Sequence, residues 1–447
     1  MTVAYLREIR LGQFKSFRNA VLPVDSITVL TGRNSAGKSN ALDGVEVLSR
    51  LATGEELVDA LDGRRREGGP VRGGSRGCAP HGANRFLLGC TVQSGNNSYR
   101  LDIGIQVKPE LRVISEVLRG PAPAVESGVV KDRHLFQTRG PTEGDAGIHV
   151  EIFNGKRGNN PIVPFRDSRL ITSQIPLRVA PENNATQAVI DAAQAVTAAL
   201  RGIFHLDPIP HLMREYVSER DTDLRRTGAN ISAALDKLER TDRDTFRQIG
   251  DLVKQVADQS VRDIYIARSQ LGDVMIALRE GYLGRKSERT PAREMSDGLL
   301  RFVAIATALL TANRGLDIEK GLALGGPTSG VLLVVEELEN GLHPSQADRV
   351  LELMREASKE QGNRVMVTTH SPALLNEMTG SLNRSVIVCY RDQDTGLSKL
   401  ERLPDLKGYA EAMATGRLGD AVTGGRLVRP EEFDSNYDQF ARLLGMN

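Results

Sequence analysis

The chain contains no tryptophan, and aromatic residues make up only 4% of it, so it offers few platforms on which nucleic-acid bases could stack. Cysteine is scarce: Cys78, Cys90 and Cys389 cannot build a disulfide framework, and a reducing compartment is expected. Net charge is lacking too. Fifty-eight Lys and Arg against 57 Asp and Glu leave +1, so no global field draws in polyanions, and any nucleic-acid contact must use a local patch. The longest apolar stretch, Phe302–Leu310, falls well short of the roughly 20 residues that cross a bilayer. The opening residues Met1–Glu8 do not read as a signal peptide. A soluble cytoplasmic protein with no membrane partner is the expectation.

What the chain does have is length and an apolar content of 40% over 447 residues, enough for about three domain-sized units. Its most specific stretch is Gly32-Arg33-Asn34-Ser35-Ala36-Gly37-Lys38-Ser39, directly after the apolar run Ile27–Leu30. It fits G-x-x-x-x-G-K-[ST], the loop that cradles phosphates with backbone N–H groups. Glycines let the chain curl close to the phosphate, and the helix that follows, from Asn40 to Leu48 by pattern, points its positive end at the same group. In that geometry Lys38 reaches the β- and γ-phosphates and Ser39 holds Mg²⁺.

The rest of the chain divides by pattern. Residues 3–31 read as two strands around a turn, feeding the loop, and residues 40–61 as helical. The segment Gly63–Gly77 is rich in Gly and Arg with almost no apolar content, and a mobile loop is expected there. Its arginines could touch DNA phosphates, or it is simply a solvated insertion. Phe86–Gln93, Tyr99–Val107, Leu111–Leu118 and Ile148–Phe153 read as an antiparallel meander, with a hairpin turn at Ser94–Asn97. Residues 186–258 read as mostly helical, with Asn230 capping one helix and Thr241 or Asp242 the next. The break at Thr241–Asp244 leaves too few heptads for a long coiled coil. Strands at 262–268 and 273–279 lead back to the core. Val331–Val335, Arg364–Thr369 and Ser385–Tyr390 follow helical stretches in the rhythm of a parallel sheet.

Chemistry gathers at the ends of these late strands. Glu336-Glu337 closes a run of five aliphatic residues, where solvated charge is not expected. A carboxylate at the C-terminal end of such a strand lands beside the phosphate loop. Glu336 then helps hold Mg²⁺, directly or through water, and Glu337 orients and deprotonates an attacking water. His370, in Thr368-Thr369-His370-Ser371-Pro372, also ends an apolar strand and can contact the γ-phosphate or that water. His343 is read as shaping the loop after the carboxylates. Ser296-Asp297-Gly298 opens the helix Phe302–Ala312 as an N-cap and first turn, a second helix-start anion site or a plain cap. Cys78, His81 and Cys90 have the spacing of two or three zinc ligands but no clear fourth.

Together these motifs, in this order, resemble the ABC-type ATPase head of the SMC/RecF class, and in particular the compact AAA-type ATPases that include the heads of OLD-family proteins. The resemblance rests on Gly32–Asn40, Ser296–Arg301, Val331–Pro344 and Thr368–Leu375, with His205–Arg214 and Gly228–Asn230 in support. It implies an α/β fold: a P-loop ABC-type ATPase head, with a mixed, mainly parallel sheet, an antiparallel meander and a short helical subdomain. The implied layout is an N-terminal ATPase lobe over 1–62, a flexible Gly/Arg-rich loop over 63–85 and an antiparallel β region over 86–180. A helical insertion with return strands follows over 181–290, then a C-terminal lobe over 291–403 and a helical tail over 404–447. The cofactors implied are ATP and Mg²⁺, with Gly32, Asn34, Ser35, Ala36, Gly37, Lys38, Ser39 and Asn40 around the nucleotide. Lys38, Glu337 and His370 take part in hydrolysis, and Ser39 and Glu336 serve the metal. Two copies sandwich ATP head-to-tail, so that Ser296, Asp297 and Gly298 of one meet the γ-phosphate held by Lys38 of the other.

Departures from the family pattern are Glu336 where aspartate is usual, Leu338 where proline is common, and Asp297 in place of the first signature glycine. The family's Mg²⁺-contacting glutamine has three candidates, Gln93, Gln106 and Gln137. Lys38 and Ser296 stand 258 residues apart (296 − 38), wider than in transporter subunits, and the long SMC coiled coil is missing. The 77 residues after His370 (447 − 370) are short for a toprim nuclease. The resulting expectation is an anti-phage defence ATPase that senses nucleic acid or another trigger and controls a separate nuclease or toxin. A RecF-like repair ATPase is the alternative, and a transporter subunit the third.

Overall fold

The computed structural model describes residues 2–63, 69–140, 147–257, 261–281, 288–312, 314–318, 328–340, 347–359, 362–378, 380–414, 418–423 and 427. His343, Arg64–Arg66 and most of the 404–447 tail lie outside the described residues.

Five strands run parallel and side by side in the order Ile203–Leu206, Leu332–Val335, Arg364–Thr368, Ile27–Thr31 and Val386–Arg391. Their composition explains the arrangement: strands covered on both faces are nearly continuous in aliphatic side chains. Alternate residues serve two different cores. Leu30, Leu332, Val334, Met366 and Ile387 pack with the phosphate-loop helix Lys38–Leu51 and the helix Asn184–Arg201. Val29, Leu333, Val335, Val365, Val367 and Val388 pack with the helices Asp297–Leu310 and Ala347–Ala357.

The sheet does not stop there. Val386–Arg391 turns into the antiparallel strand Ser398–Arg402, which meets Phe17–Pro23 at Ser398. Val3–Phe14 follows, and then the meander Arg85–Ser94, Asn97–Gln106, Arg112–Pro123, Val130–Thr138, Ile148–Ile152 and Ile162–Phe165. The result is one mixed α/β sheet of 15 strands, with a parallel core and an antiparallel extension. Among the described residues, no helix is long and apolar enough to cross a membrane.

Several local expectations are corrected. Three strands, not two, precede the phosphate loop. The helix expected over 40–61 is two, Lys38–Leu51 and Leu57–Asp62, separated where Gly54 takes a positive φ of 83°. The described part of the Gly/Arg-rich segment is anchored. Gly74–Cys78 forms a short helix, Val71 is buried, and Ser75 donates its backbone N–H and hydroxyl to the Asp62 carboxylate at 2.7 Å each. Within 186–258, Ile203–Leu206 is a strand at the edge of the parallel core. Asn230 precedes the helix Ile231–Thr241 without capping it; its side chain accepts from Arg225 N–H and donates to Asp221 and Asp223 carbonyls. Asp242 does cap Arg243–Val256, accepting from Thr245 N–H at 3.2 Å. The two return strands, Val261–Arg268 and Asp273–Glu280, form a separate four-stranded sheet with Val217–Ser218 and Glu288–Pro291.

Candidate functional site

Strand register builds the site. Val335 pairs with Val367, and Val367 with Val29, so the residues just past these strands are level. Glu336-Glu337 emerges on one strand, His370 on the next, and the phosphate loop on the third. Leu206 pairs with Val335, which puts Asp207 level with Glu336 on the other side. All open at the C-terminal edge of the parallel core, where ligands bind in sheets of this kind.

The loop is held tightly from behind. Gly32 has φ 141°, and a Cβ there would lie 2.0 Å from the Cys389 carbonyl oxygen. Gly37 has φ 121°, and a Cβ there would lie 2.4 Å from Ser398 Oγ. Ser398 donates its hydroxyl to the Ala36 carbonyl at 2.6 Å, Arg391 donates to the Ser35 carbonyl at 3.1 Å, and Asn40 donates to Ser16 Oγ at 2.8 Å. Ser35 itself adopts a positive φ of 65°. The crest formed by Arg33, Asn34 and Ser35 is exposed.

The helix Lys38–Leu51 starts at Gly37 with no side-chain cap and no acidic residue in its first turn. Uncapped N–H groups at a helix start need an acceptor, and a phosphate supplies one. Lys38 Nζ donates to the Gly32 and Arg33 carbonyls, at 3.0 and 3.2 Å. Burial lowers its ammonium pKa, opposed by the field of Cys389, Glu337 and Glu339. A nearly buried cation with these acidic neighbours is suited to anionic oxygen.

Glu337 takes a positive φ of 48°, rare for a residue with a side chain and a common mark of functional sites. Its backbone N–H donates to Thr368 Oγ1 at 2.8 Å, and its carboxylate accepts from Asn340 Nδ2. Glu336 is half-buried. Burial raises its carboxyl pKa, opposed by Arg72, whose guanidinium lies 3.8 Å away and comes from the Gly/Arg-rich segment. Burial lowers the His370 pKa and Lys38 adds to the effect, while Glu339 and Glu337 oppose it. His370 is therefore poised as a neutral imidazole near neutral pH.

The structure thus brings Gly32–Ser39, Glu336, Glu337 and His370 together. It does not bring Ser296, Asp297 and Gly298 to them: among the described residues, no hydrogen bond or ion pair joins that segment to the loop. Ser296 caps Asp297–Leu310, its Oγ accepting from Leu299 N–H at 3.3 Å, which leaves the hydroxyl proton free to donate. Asp297 is held by Arg214 at 2.6 Å, and the same guanidinium donates to the Met295 carbonyl. The three candidate glutamines are engaged within or beside the meander: Gln93 with Gly95, Gln106 with Glu110, Gln137 with Glu151.

Sequence reasoning missed four supports. Glu339 accepts the His370 backbone N–H at 2.5 Å, and its second oxygen is buried with no hydrogen-bond partner among the described residues. Arg226 grips Glu46 of the phosphate-loop helix, Arg50 shares the same carboxylate, and buried His205 lies alongside. Arg72 and Ser398 complete the set. Only the acidic spacing of Glu336, Glu337 and Glu339 could have hinted at the first; the others join residues too far apart in sequence for any local signal.

The donors fit Mg²⁺ and a nucleotide phosphate. Mg²⁺ retains waters and takes one or two protein oxygens beside substrate phosphates, so Ser39 Oγ and Glu336 suffice. Zinc finds no such set. Cys78 and Cys90 are buried with thiols pushed up to about 12, and among the described residues no three His, Cys, Asp or Glu side chains gather as a metal cluster.

No curated protein matches the chain. Among solved structures it is similar to an SMC head bound to the C-winged helix domain of ScpA, at 14% identity over 89% of this chain and 97% of that one, with a TM-score of 0.45. The SMC head domain from Thermotoga maritima gives 14% identity over 89% and 98%, with a TM-score of 0.38. The recombination mediator protein RecF with ATP gives 12% over 90% and 100%, with a TM-score of 0.36. These scores describe a likeness of general outline. The family model described as "AAA domain, putative AbiEii toxin, Type IV TA system" matches residues 27–376, from the strand that feeds the phosphate loop to the helix after His370, and the chain belongs to that family.

Proposed function

We propose that the chain is a Mg²⁺-dependent ATP hydrolase that works as a head-to-tail oligomer and controls a separate effector in anti-phage defence. The observation that carries the hydrolase reading is the convergence of an uncapped helix start, Lys38, the Glu336-Glu337 strand end and His370 at one sheet edge. Gly32–Asn40 wrap the phosphates, and Lys38 neutralises charge on the β- and γ-oxygens. Ser39 and Glu336 hold Mg²⁺, which when bound offsets charge on the phosphate oxygens. Glu337 accepts a proton from the attacking water, and His370 orients that water or the γ-phosphate.

Ser296, with a hydroxyl proton to spare, makes no hydrogen bond to its own subunit's loop among the described residues, which supports its use by a second copy. Gly298 leaves the first turn open to the phosphate, and Arg214 offsets the Asp297 charge. The family's description names a putative toxin of a type IV toxin–antitoxin system, which supports the defence reading. The separate nuclease or toxin is the partner we propose for it.

The test is gel filtration of wild type and Glu337→Gln with ATP and Mg²⁺. The variant loses turnover by about 10²- to 10⁴-fold, retains nucleotide, and elutes as a stabilised dimer or larger assembly. An E337Q chain that stays monomeric with ATP bound sinks the sandwich; one that hydrolyses at the wild-type rate sinks the role of Glu337.

A further inference from the structure

Away from the phosphate loop, the four-stranded sheet carries a charge pattern that its own pairing does not satisfy. In the hairpin of Asp273–Glu280 with Glu288–Pro291, Arg279 stands directly opposite Arg289, and Glu280 directly opposite Glu288. Like charges facing each other across strands are destabilising. The pairing therefore sorts charge, with arginines on one face and glutamates on the other. Glu280 is engaged, accepting from the Thr290 hydroxyl. The arginines are not: both are exposed, and neither forms an ion pair among the described residues. Asp263, which pairs in register with Arg279, turns its carboxylate to the Ile264 N–H at 2.8 Å.

Both guanidiniums lie against the same aromatic ring. Tyr265, on the neighbouring strand, has Arg279 at 5.8 Å and Arg289 at 5.4 Å from its centroid. Ring contact restrains the orientation of a guanidinium and leaves its N–H edge free. Two such edges, a cross-strand pair apart, fit phosphate oxygens, which arginine binds in bidentate fashion. A flat β surface has no cleft to enclose one ligand, but it can track a repeating backbone charge. Arg289 also leads, through Pro291 and the turn Ala292–Glu294, straight into Ser296.

We propose that the Arg279–Tyr265–Arg289 face binds the phosphodiester backbone of nucleic acid, independently of sequence, and that occupancy is felt at the adjoining Ser296 helix start. The binding half stands without the ATPase reading; the coupling half rests on it.

The test is fluorescence anisotropy of full-length protein with a labelled oligonucleotide, first without nucleotide. Wild type binds with an affinity that falls steeply with salt. Arg279→Ala/Arg289→Ala binds roughly tenfold or more weakly, and its slope of log K against log salt is shallower by about two. Arg279→Lys/Arg289→Lys keeps the wild-type salt slope but loses part of the affinity, which separates the charge from the ring-restrained guanidinium edges and both from folding. Unchanged affinity and slope in the alanine variant overturn the proposal. So does polyglutamate competing as well as the oligonucleotide at equal charge, which assigns the face to an acidic protein. Lys38→Ala binds the oligonucleotide like wild type even if it hydrolyses nothing, so failure of the ATPase reading leaves this result distinct. If the hydrolase reading holds, nucleic acid raises wild-type turnover and leaves that of the double-alanine variant unchanged; stimulation of both overturns the coupling.

Discussion

Gly32 shows how little freedom a single position in this site has. Its φ of 141° belongs to glycine, and a Cβ would stand 2.0 Å from the Cys389 carbonyl oxygen, inside any real contact. Gly32→Ala is therefore expected to cost about 3 kcal/mol or more and to abolish nucleotide binding. Gly396, with φ 67° and nothing within 4 Å of its would-be Cβ, is the control: Gly396→Ala pays only the backbone term, about 1 kcal/mol. Chemical denaturation and a nucleotide-binding titration on both variants check this. His205 carries a pH prediction. Burial pulls its imidazole down to about 4 from 6.5, with Glu46 opposing, and its Nε2 has no hydrogen-bond partner among the described residues. The folded chain keeps His205 neutral at pH values where the unfolded chain protonates it. Its contribution is intact above pH 6.5 and is lost as pH falls through about 4, by about 3 kcal/mol in full. Stability measured from pH 7 to pH 4 should fall more steeply in wild type than in His205→Gln. Residues of this kind divide by legibility. Lys38, Glu336, Glu337 and His370 sit in short motifs that name themselves. Glu339 and Arg226 act on groups brought near only by folding, and in the sequence they look like any solvated charge.

At the scale of elements, the parallel strands were legible because burial on both faces demands unbroken aliphatic runs. Ile203–Leu206 was not, since four residues after an 18-residue helix carry no period of their own. Val130–Thr138 escaped for the opposite reason: each of its first five residues is polar or exposed, so the alternation fails. The cap expected at Asn230 failed because tertiary partners at Asp221 and Asp223 claimed its amide. That same segment makes a connection between elements. Arg226 accepts the Asp207 N–H on its carbonyl at 2.9 Å and grips Glu46 with its guanidinium, so the strand end at Asp207 and the phosphate-loop helix share one residue. Burial alone would raise the Glu46 carboxyl, but Arg226 holds it well below the usual range. Glu46→Gln is expected to destabilise by about 3 kcal/mol, because it takes the shared carboxylate from both Arg226 and Arg50, whereas Arg226→Gln costs less, since Arg50 still pairs with Glu46. The double variant should cost less than the sum, with a coupling of about 1–3 kcal/mol in a double-mutant cycle read by urea unfolding. Strict additivity would mean that the two elements are tied together elsewhere.

For the whole molecule, the order of motifs along the chain was the informative signal, and the sheet explains why order matters. Strand pairing gathers Lys38, Glu336, Glu337 and His370 although about three hundred residues or more separate the first from the rest. The same pairing leaves Ser296 at the head of a helix behind the sheet. What sequence could not give was the continuity of the parallel core with the meander, which runs through the pairing of Ser398 with Phe17 and is reinforced where Val3 and Ala4 pair with Thr328 and Ser329. A site completed by a second copy makes a demand that no single-chain site makes. Lys38→Ala and Ser296→Arg each leave every composite site with one defective half, so each homogeneous assembly is inactive. When the two variants are co-expressed with different tags, a mixed head-to-tail dimer collects both defects in one site and leaves the other intact. Random mixing then restores about a quarter of wild-type turnover, and isolating the mixed species by both tags raises this to about half. Phosphate release on the doubly purified protein decides the matter. A mixed dimer as inactive as its parents means that Lys38 and Ser296 do not meet across subunits, and that hydrolysis, where it occurs, is completed within one chain.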